Sequence, residues 1–285
     1  MTEKSTTVRV IQTLAPPLSR VSPELSARCL EQLFLTPRKH PRPKREHEWL
    51  ATAERGSIRF DDRRHVPIFA WGRRSLHGGP VLLVHGWAGR GAQMAAFARP
   101  LVEAGHRVVT FDAPAHGDAD GRLTGLPELA EAVERVAQVI GEPRAIIAHS
   151  LGTTAVTIAM ARGLAPEKVV YVAPPAHPDE YLHRAAAFLG FAPKVGRRAQ
   201  RRIEARFGYP FSDAKVTALA ETLDAKLLII HDEDDDDVPI AEGRTLAARW
   251  PGATLVETAG LGHRRIVRDP QVVEAAVDFL SEVAN

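Results

Sequence analysis

Ser150 stands in the segment Ala148-His149-Ser150-Leu151-Gly152, after the apolar run Ala145–Ala148 and before a run with helical spacing, Thr153 to Arg162. A serine at a strand-to-helix turn sits on a tightly bent backbone and needs small neighbours, which Ala148 and Gly152 supply. Such a turn lifts the hydroxyl off the sheet, and the helix start behind it offers unpaired N–H groups to a developing oxyanion. A second glycine-containing turn, His85-Gly86-Trp87-Ala88-Gly89, directly follows the apolar run Val81–Val84. Glycine there lets a backbone N–H approach a substrate oxygen. The N–H groups of Trp87 and Leu151 are therefore assigned as oxyanion donors, with His85, Gly86 and Gly152 shaping the site. This is the equipment of a nucleophilic attack on an acyl carbon.

A serine nucleophile needs a base, and the base needs an orienting acid. His263, in Gly260-Leu261-Gly262-His263, is the one histidine of the chain's 12 that follows both the last apolar strand and an acidic loop. That loop, His231 to Pro239, contains six consecutive acids from Asp232 to Asp237 after the run Leu227–Ile230. A carboxylate at a strand's end can reach across a sheet and fix a histidine tautomer, but chemistry alone leaves the choice among the six open. A calcium loop fails as an alternative: Asp237 stands where the loop needs glycine and Gly243 where it needs a bidentate glutamate.

The elements that must position these groups are legible as alternation. Val81–Val84, Val108–Phe111, Ala145–Ala148, Val169–Val172, Leu227–Ile230 and Thr254–Val256 read as buried strands, separated by helical patterns such as Leu129, Val133, Val136 and Ile140. This predicts a doubly wound, mostly parallel sheet covered on both faces. Ser57–Phe60 and Val66–Trp71 read as an antiparallel pair, and Pro67 places the second of them near the sheet's edge. The closing helix is expected from Pro270 to Val283. Two stretches break the alternation. Residues 1–53 form an extension with one helix (Pro23 to Phe34) and an extended arm, Pro37 to Arg45. Residues 175–225 form a small helical cap between the core segments 54–174 and 226–285. In the cap, Val195, Ala199, Ile203 and Phe207 make an apolar stripe, with Arg197, Arg198, Arg201 and Arg202 between them.

Composition excludes several classes. The 285 residues are 45% apolar and 25% charged, with 37 basic and 35 acidic side chains, net +2. That balance argues against nucleic-acid binding. Cys29 is the only cysteine, so no intramolecular disulfide forms and a reducing compartment fits. No apolar run approaches the roughly 20 residues of a membrane span, and Met1 to Arg20 lacks a signal-peptide core. A cytoplasmic protein is the expectation; composition says nothing of oligomeric state.

These pieces, in this order, resemble the α/β-hydrolase superfamily over roughly residues 55 to 285. The resemblance implies an eight-stranded α/β-hydrolase sheet and a triad in the order nucleophile, acid, histidine. In related esterases the acid's loop reads His-Gly-x-x-Asp-x-x-Val-Pro; laid on His231 to Pro239, that register selects Asp235, with Asp234 the rival and Asp232 in the glycine's place. Ala148 likewise departs from a glycine. Phe111 to Gly117 resembles the family's Asp-x-Pro-Gly-x-Gly loop, which makes His116 structural. The resemblance further implies a cap whose apolar stripe faces the site and whose arginines face water. The activity implied is hydrolysis of carboxylic esters of short to medium acyl chain by Ser150, Asp235 and His263, with a small-molecule substrate and no cofactor or metal. Thioesters, amides, peptides and C–C bonds are alternatives on the same scaffold, and a non-catalytic, receptor-like module is the alternative of another class.

Overall fold

The computed structural model describes residues 6–73 and 78–282. One sheet runs through it, built from β1 (Glu54–Arg59), β2 (His65–Trp71), β3 (Val81–Val84), β4 (Val108–Phe111), β5 (Ala145–His149), β6 (Lys168–Val172), β7 (Lys226–Asp232) and β8 (Thr254–Thr258). The strands lie in the order β1-β2-β4-β3-β5-β6-β7-β8. β2 is antiparallel to β1 and β4, and every other pair is parallel. The expected eight-stranded, mostly parallel sheet is therefore present. Pro67 lies one strand in from the edge, paired with Ser57 of β1. Its carbonyl accepts from Asp112 N–H just beyond the β2–β4 ladder, which starts at Ile68. The missing N–H falls at that ladder's end, where it costs no bond.

The helices are α1 (Thr6–Val21), α2 (Pro23–Leu35), α3 (Lys44–Ala51), α4 (Ala98–Glu103), α5 (Leu126–Ile140) and α6 (Leu151–Ala161). They continue with α7 (Tyr181–Phe188), α8 (Pro193–Phe207), α9 (Val216–Ala220), α10 (Ile240–Arg249), α11 (Gly262–Arg265) and α12 (Pro270–Ser281). The closing helix starts as expected at Pro270, capped by Asp269, whose side chain accepts from Gln271 and Val272 N–H; Val283 lies outside the described residues. Strand alternation sends Val81, Leu83, Ile147, Val170 and Ile230 to one face of the sheet, where Phe97, Leu101, Val272, Ala276 and Leu280 cover them. On the other face Tyr171 of β6 bonds the Thr157 hydroxyl of α6 at 2.9 Å and meets the Trp250 ring edge-on.

The chain divides into two compact units, one of residues up to Thr36 with His177–Lys215 and one of Pro37–Ala176 with Val216 onward. The extension expected as one piece to residue 53 is thus split at Thr36, and the tail of the expected cap, with α9, belongs with the sheet. The extension, in which the sequence predicts one helix, holds two more: α1, with Pro16 and Pro17 inside it, and α3, a run of charged residues with little apolar pattern.

Within the helical unit the structure corrects the reading of α8. Val195, Ala199 and Ile203 are buried, and α8 packs most extensively on α2. Nor do its arginines all face water: Arg202 and Arg206 bond the two oxygens of the nearly buried Glu31 of α2 at 2.6 and 2.8 Å. The N-terminal helices supply an apolar partner and a carboxylate, so the stripe is satisfied inside its own unit.

The Pro/Arg-rich arm lies in the sheet unit and is extended as far as Pro43, while Lys44 and Arg45, expected in the arm, open α3. A buried cation from the β3 side helps to hold it. Arg90 is 6% exposed and donates to His40 O at 2.8 Å, to Pro41 O at 3.1 Å and to the Glu46 carboxylate of α3. Removing one member of a buried pair leaves the other charged and unpaired. Arg90→Met is expected to lower the unfolding free energy by about 3–5 kcal/mol in urea titrations. The Arg90→Met/Glu46→Leu double variant, which leaves no orphan charge, loses markedly less.

Candidate active site

The strand order reverses at β3, which has β4 on one side and β5 on the other. At such a switch point the two following loops diverge and leave a crevice beyond the strands' carboxyl ends. Those loops carry His85-Gly86-Trp87 after β3 and Ser150 after β5, with Val84 and Ala148 in register.

Ser150 is the single residue between β5 and α6, and the change of direction is concentrated in its backbone, at φ 53 and ψ −131. The surroundings enforce small residues. A Cβ on Gly152 would come within 2.5 Å of His85 O, and one on Gly86 within 2.8 Å of the Ser150 Cβ. Ala148, in place of the usual glycine, is fully buried in the sheet without departing from its register. The bend is pinned by Ser150 N–H donating to Val172 O at 2.9 Å and by the Thr153 hydroxyl donating to Ser150 O at 2.7 Å.

His263, at the start of α11, comes back to this serine: its Nε2 lies 2.9 Å from Ser150 Oγ and its Nδ1 2.7 Å from Asp235 Oδ2. An ionised Asp235 can only accept, so Nδ1 carries the proton and Nε2 is left as acceptor for the serine hydroxyl. Asp235 is 6% exposed, and its other oxygen accepts from Asp237 and Val238 N–H at 2.9 and 2.8 Å. Burial pushes its carboxyl up, but hydrogen bonds from the His231 and His263 rings outweigh this and hold it well below the ordinary carboxylate range. Of the two candidate acids, the structure brings Asp235 to the histidine. Asp234 is exposed and instead accepts from Gly260 N–H at 2.8 Å.

The two residues expected from sequence to be oxyanion donors stand on the loops beside Ser150. Leu151 is the first residue of α6, where N–H groups lack intrahelical acceptors. Trp87 follows Gly86, whose Cα lies hard against Ser150. Neither N–H makes a loop or cap hydrogen bond among the described residues. His85 ties two loops together: its Nδ1–H donates to Gly86 O at 2.8 Å and its Nε2 accepts from Ala113 N–H at 3.0 Å. Burial pushes its pKa down to about 4, so it is a neutral brace. His116 is likewise buried and neutral, donating to Pro114 O at 3.0 Å with its ring against Trp87 and His85. Burial, then the neighbouring His85, pushes it down to about 3.

Three residues to which the sequence assigned no part in the site stand beside Asp235 and His263. His149 donates its Nε2–H to the backbone carbonyl of His263 at 2.8 Å, and the two rings lie 4.7 Å apart. Burial, then the His263 ring, pushes its pKa down to about 3. His231 sets its Nε2 3.5 Å from Asp235 Oδ2 while donating to Val238 O at 2.8 Å. Asp232, noted earlier as standing where glycine was expected, accepts from Asp234, Leu261 and Gly262 N–H and from the Thr258 hydroxyl, between 2.7 and 3.1 Å. It fastens the His263 loop to the end of β7. Its position next to the triad register was the one sequence signal available; the others depended on knowing which loops meet. No cluster of three or more His, Cys, Asp or Glu among the described residues could hold a metal ion.

A serine held at positive φ stores about 1–3 kcal/mol of backbone strain. At most positions glycine is less stabilising than alanine; here the order should invert. Ser150→Gly is expected to be about 1 kcal/mol more stable than Ser150→Ala in denaturant titrations. Equal stabilities, or the usual order, would show that the bend stores no strain.

Comparison with known proteins gives the geometry its setting. No curated protein matches the sequence. Among solved structures, the chain is similar to a bromoperoxidase from Bacillus anthracis at 18% identity, TM-score 0.62, covering 80% of this chain and 100% of that one. An esterase from a Rhodococcus species aligns at 19% identity and TM-score 0.58, over 82% of this chain and 100% of that one. A monoacylglycerol lipase from Paleococcus ferrophilus aligns at 23% identity and TM-score 0.60, over 76% and 98%. At these identities the likeness speaks for the fold alone. The family model described as the alpha/beta hydrolase family matches residues 81–276, from β3 into α12. That span is well over half the chain and takes in the crevice with Ser150, Asp235 and His263, so by sequence and by architecture this chain belongs to the alpha/beta hydrolase family.

Proposed function

We propose that the protein is a serine hydrolase that cleaves carboxylic esters of short to medium acyl chain through an acyl-enzyme intermediate. The observation that carries this reading is the unbroken hydrogen-bonded chain from Ser150 Oγ through His263 to the buried Asp235. Membership of a family of hydrolases, and fold likeness to an esterase and a monoacylglycerol lipase, support it.

In this mechanism Nε2 of His263 removes the Ser150 proton as Oγ attacks the ester carbonyl. Asp235 keeps the imidazole in the tautomer that can accept that proton and then stabilises the imidazolium. The N–H groups of Trp87 and Leu151 receive the charge on the tetrahedral oxygen, each donor being worth about 3 kcal/mol. His263 returns the proton to the leaving alcohol, and a water activated by the same ring releases the acid. The crevice excludes carboxylate-nucleophile chemistry at position 150, because serine stands there. The preference for short and medium chains is supported by the modest length of the insertion between β6 and β7.

Two measurements test the reading. A fluorophosphonate probe should label the wild-type protein, and p-nitrophenyl esters of graded chain length should turn over, with both signals abolished in Ser150→Ala. A folded protein that neither labels nor turns over any of them would leave the receptor-like alternative standing. Exchanging the acid separates the two rivals: Asp235→Asn should lower kcat about 10³–10⁴-fold by favouring the wrong imidazole tautomer. Asp234→Asn, which keeps an acceptor for Gly260 N–H, should stay within about twofold of wild type, since that side chain makes no contact with the imidazole it would have to orient.

A further inference from the structure

α1 presents two opposite faces. Gln12, Ala15, Pro16 and Ser19 look inward: Gln12 donates to Phe188 O at 2.6 Å, Ser19 accepts from Ala192 N–H at 3.3 Å, and Gly190 lies against Pro16. Val10, Leu14, Pro17 and Val21, spaced by four, three and four residues, share the reverse side of the helix. Val10, Leu14 and Val21 are 51%, 58% and 84% exposed. An outward apolar stripe on a helix of about 24 Å is unusual, because a surface helix normally turns that stripe to the core. The unit as a whole repeats the pattern: of the eight large hydrophobic residues exposed among the described residues, six lie in it, the other three being Leu25, Leu33 and Phe188.

Charge is segregated in the same sense. Residues 1–36 and 177–215 carry twelve Lys and Arg against seven Asp and Glu, whereas the sheet unit carries 25 against 28. Arg9 and Arg20 run along the border of the α1 stripe, and both are exposed, as are Arg197 and Arg201 of α8.

We propose that α1 is an interfacial helix that docks this protein on an anionic lipid surface, its Val10–Leu14–Pro17–Val21 stripe entering the headgroup boundary and Arg9 and Arg20 meeting lipid phosphates. Amphipathic helices with apolar and basic residues so arranged bind membranes in this way. The charge complementarity selects lipid over a second copy of the chain, since a symmetric dimer through this face would bring Arg9, Arg20 and a net positive unit against themselves. Pro16 and Pro17 set the depth. They leave the carbonyls of Gln12 and Thr13 without helical donors, so the helix belongs at the hydrated interface and not in hydrocarbon. No described helix is long and apolar enough to cross a membrane. The docking is independent of the esterase reading.

Co-sedimentation of the full chain with vesicles tests it. Wild type should pellet with phosphatidylcholine vesicles containing phosphatidylglycerol, less with phosphatidylcholine alone, and progressively less as salt is raised. Arg9→Gln/Arg20→Gln should weaken the partition about thirtyfold, and Leu14→Asp/Val21→Asp should abolish it. Turnover of a soluble p-nitrophenyl ester, or in its absence the thermal midpoint, should be unchanged in both pairs and so control for folding. If the aspartate pair misfolds, an environment-sensitive dye on Leu14→Cys in a Cys29→Ser background should shift to the blue on anionic vesicles. Failure of wild type to pellet, binding indifferent to the arginine pair, or a dye that does not shift would overturn the proposal. So would a concentration-dependent dimer abolished by Leu14→Asp without any vesicle binding.

Discussion

The left-handed backbone of Ser150 constrains everything around it. A strand must become a helix within one residue, and the hydroxyl must point away from the sheet. Such a bend exists only where neighbouring chains leave room, hence Gly152 against His85 O and Gly86 against the serine itself. The same demand recurs along the edge of the sheet. The positive-φ residues other than glycine, among those described, are Ala88, Ala115, Ser150 and Ala173. Each follows one of the four neighbouring strands β3 to β6 at its carboxyl end. Backbone strain is concentrated on the rim where the candidate chemistry sits, and the buried apolar sheet beneath supplies the packing energy that holds it there.

Around that rim the fold uses buried groups of fixed charge as fasteners. His85, His116 and His149 are kept neutral by burial, each donating one ring N–H to a backbone carbonyl. Carboxylates fasten the complementary N–H groups. Asp232 gathers the His263 loop, and Asp112 accepts from Gly91 and Asp118 N–H at 2.7 and 2.8 Å, with Gly117 packed so tightly on it that no side chain fits. Asp235 differs in being shared between two imidazoles and two backbone N–H groups. Those four partners keep it ionised despite burial, and an ionised acceptor is what fixes the tautomer of His263.

The helical unit follows another logic. Its interior is closed by α2 packing on α8, with Glu31 neutralising two of the arginines. What remains outside is an apolar stripe and a surplus of cations, a surface suited to an anionic apolar boundary. The sheet unit, slightly acidic overall, carries the catalytic candidates. The exposed apolar stripe and the candidate triad thus lie in different units of one chain.

The sequence by itself determined the elements whose patterns are local. Buried strands are continuous apolar runs, and a serine between such a run and a helical run marks its own turn, so the sheet, Ser150 and the loops carrying Trp87 and His263 were all legible. The antiparallel start was legible too, because the short polar turn Asp61–His65 joins its two apolar runs. Three kinds of information were not local. Six consecutive acids look alike in one dimension, and family register rather than chemistry preferred Asp235; only the path of the loop after β7 buries that side chain and leaves Asp234 in solvent. The apolar stripe of α8 was visible, but its partner lay some 170 residues earlier in α2, a pairing no periodicity encodes. The roles of His149, His231 and Asp232 exist only because loops after β5, β7 and β8 meet beyond the sheet. A side chain's pattern fixes the element it joins, whereas its partner is fixed by which elements pack together, and that is a property of the tertiary structure alone.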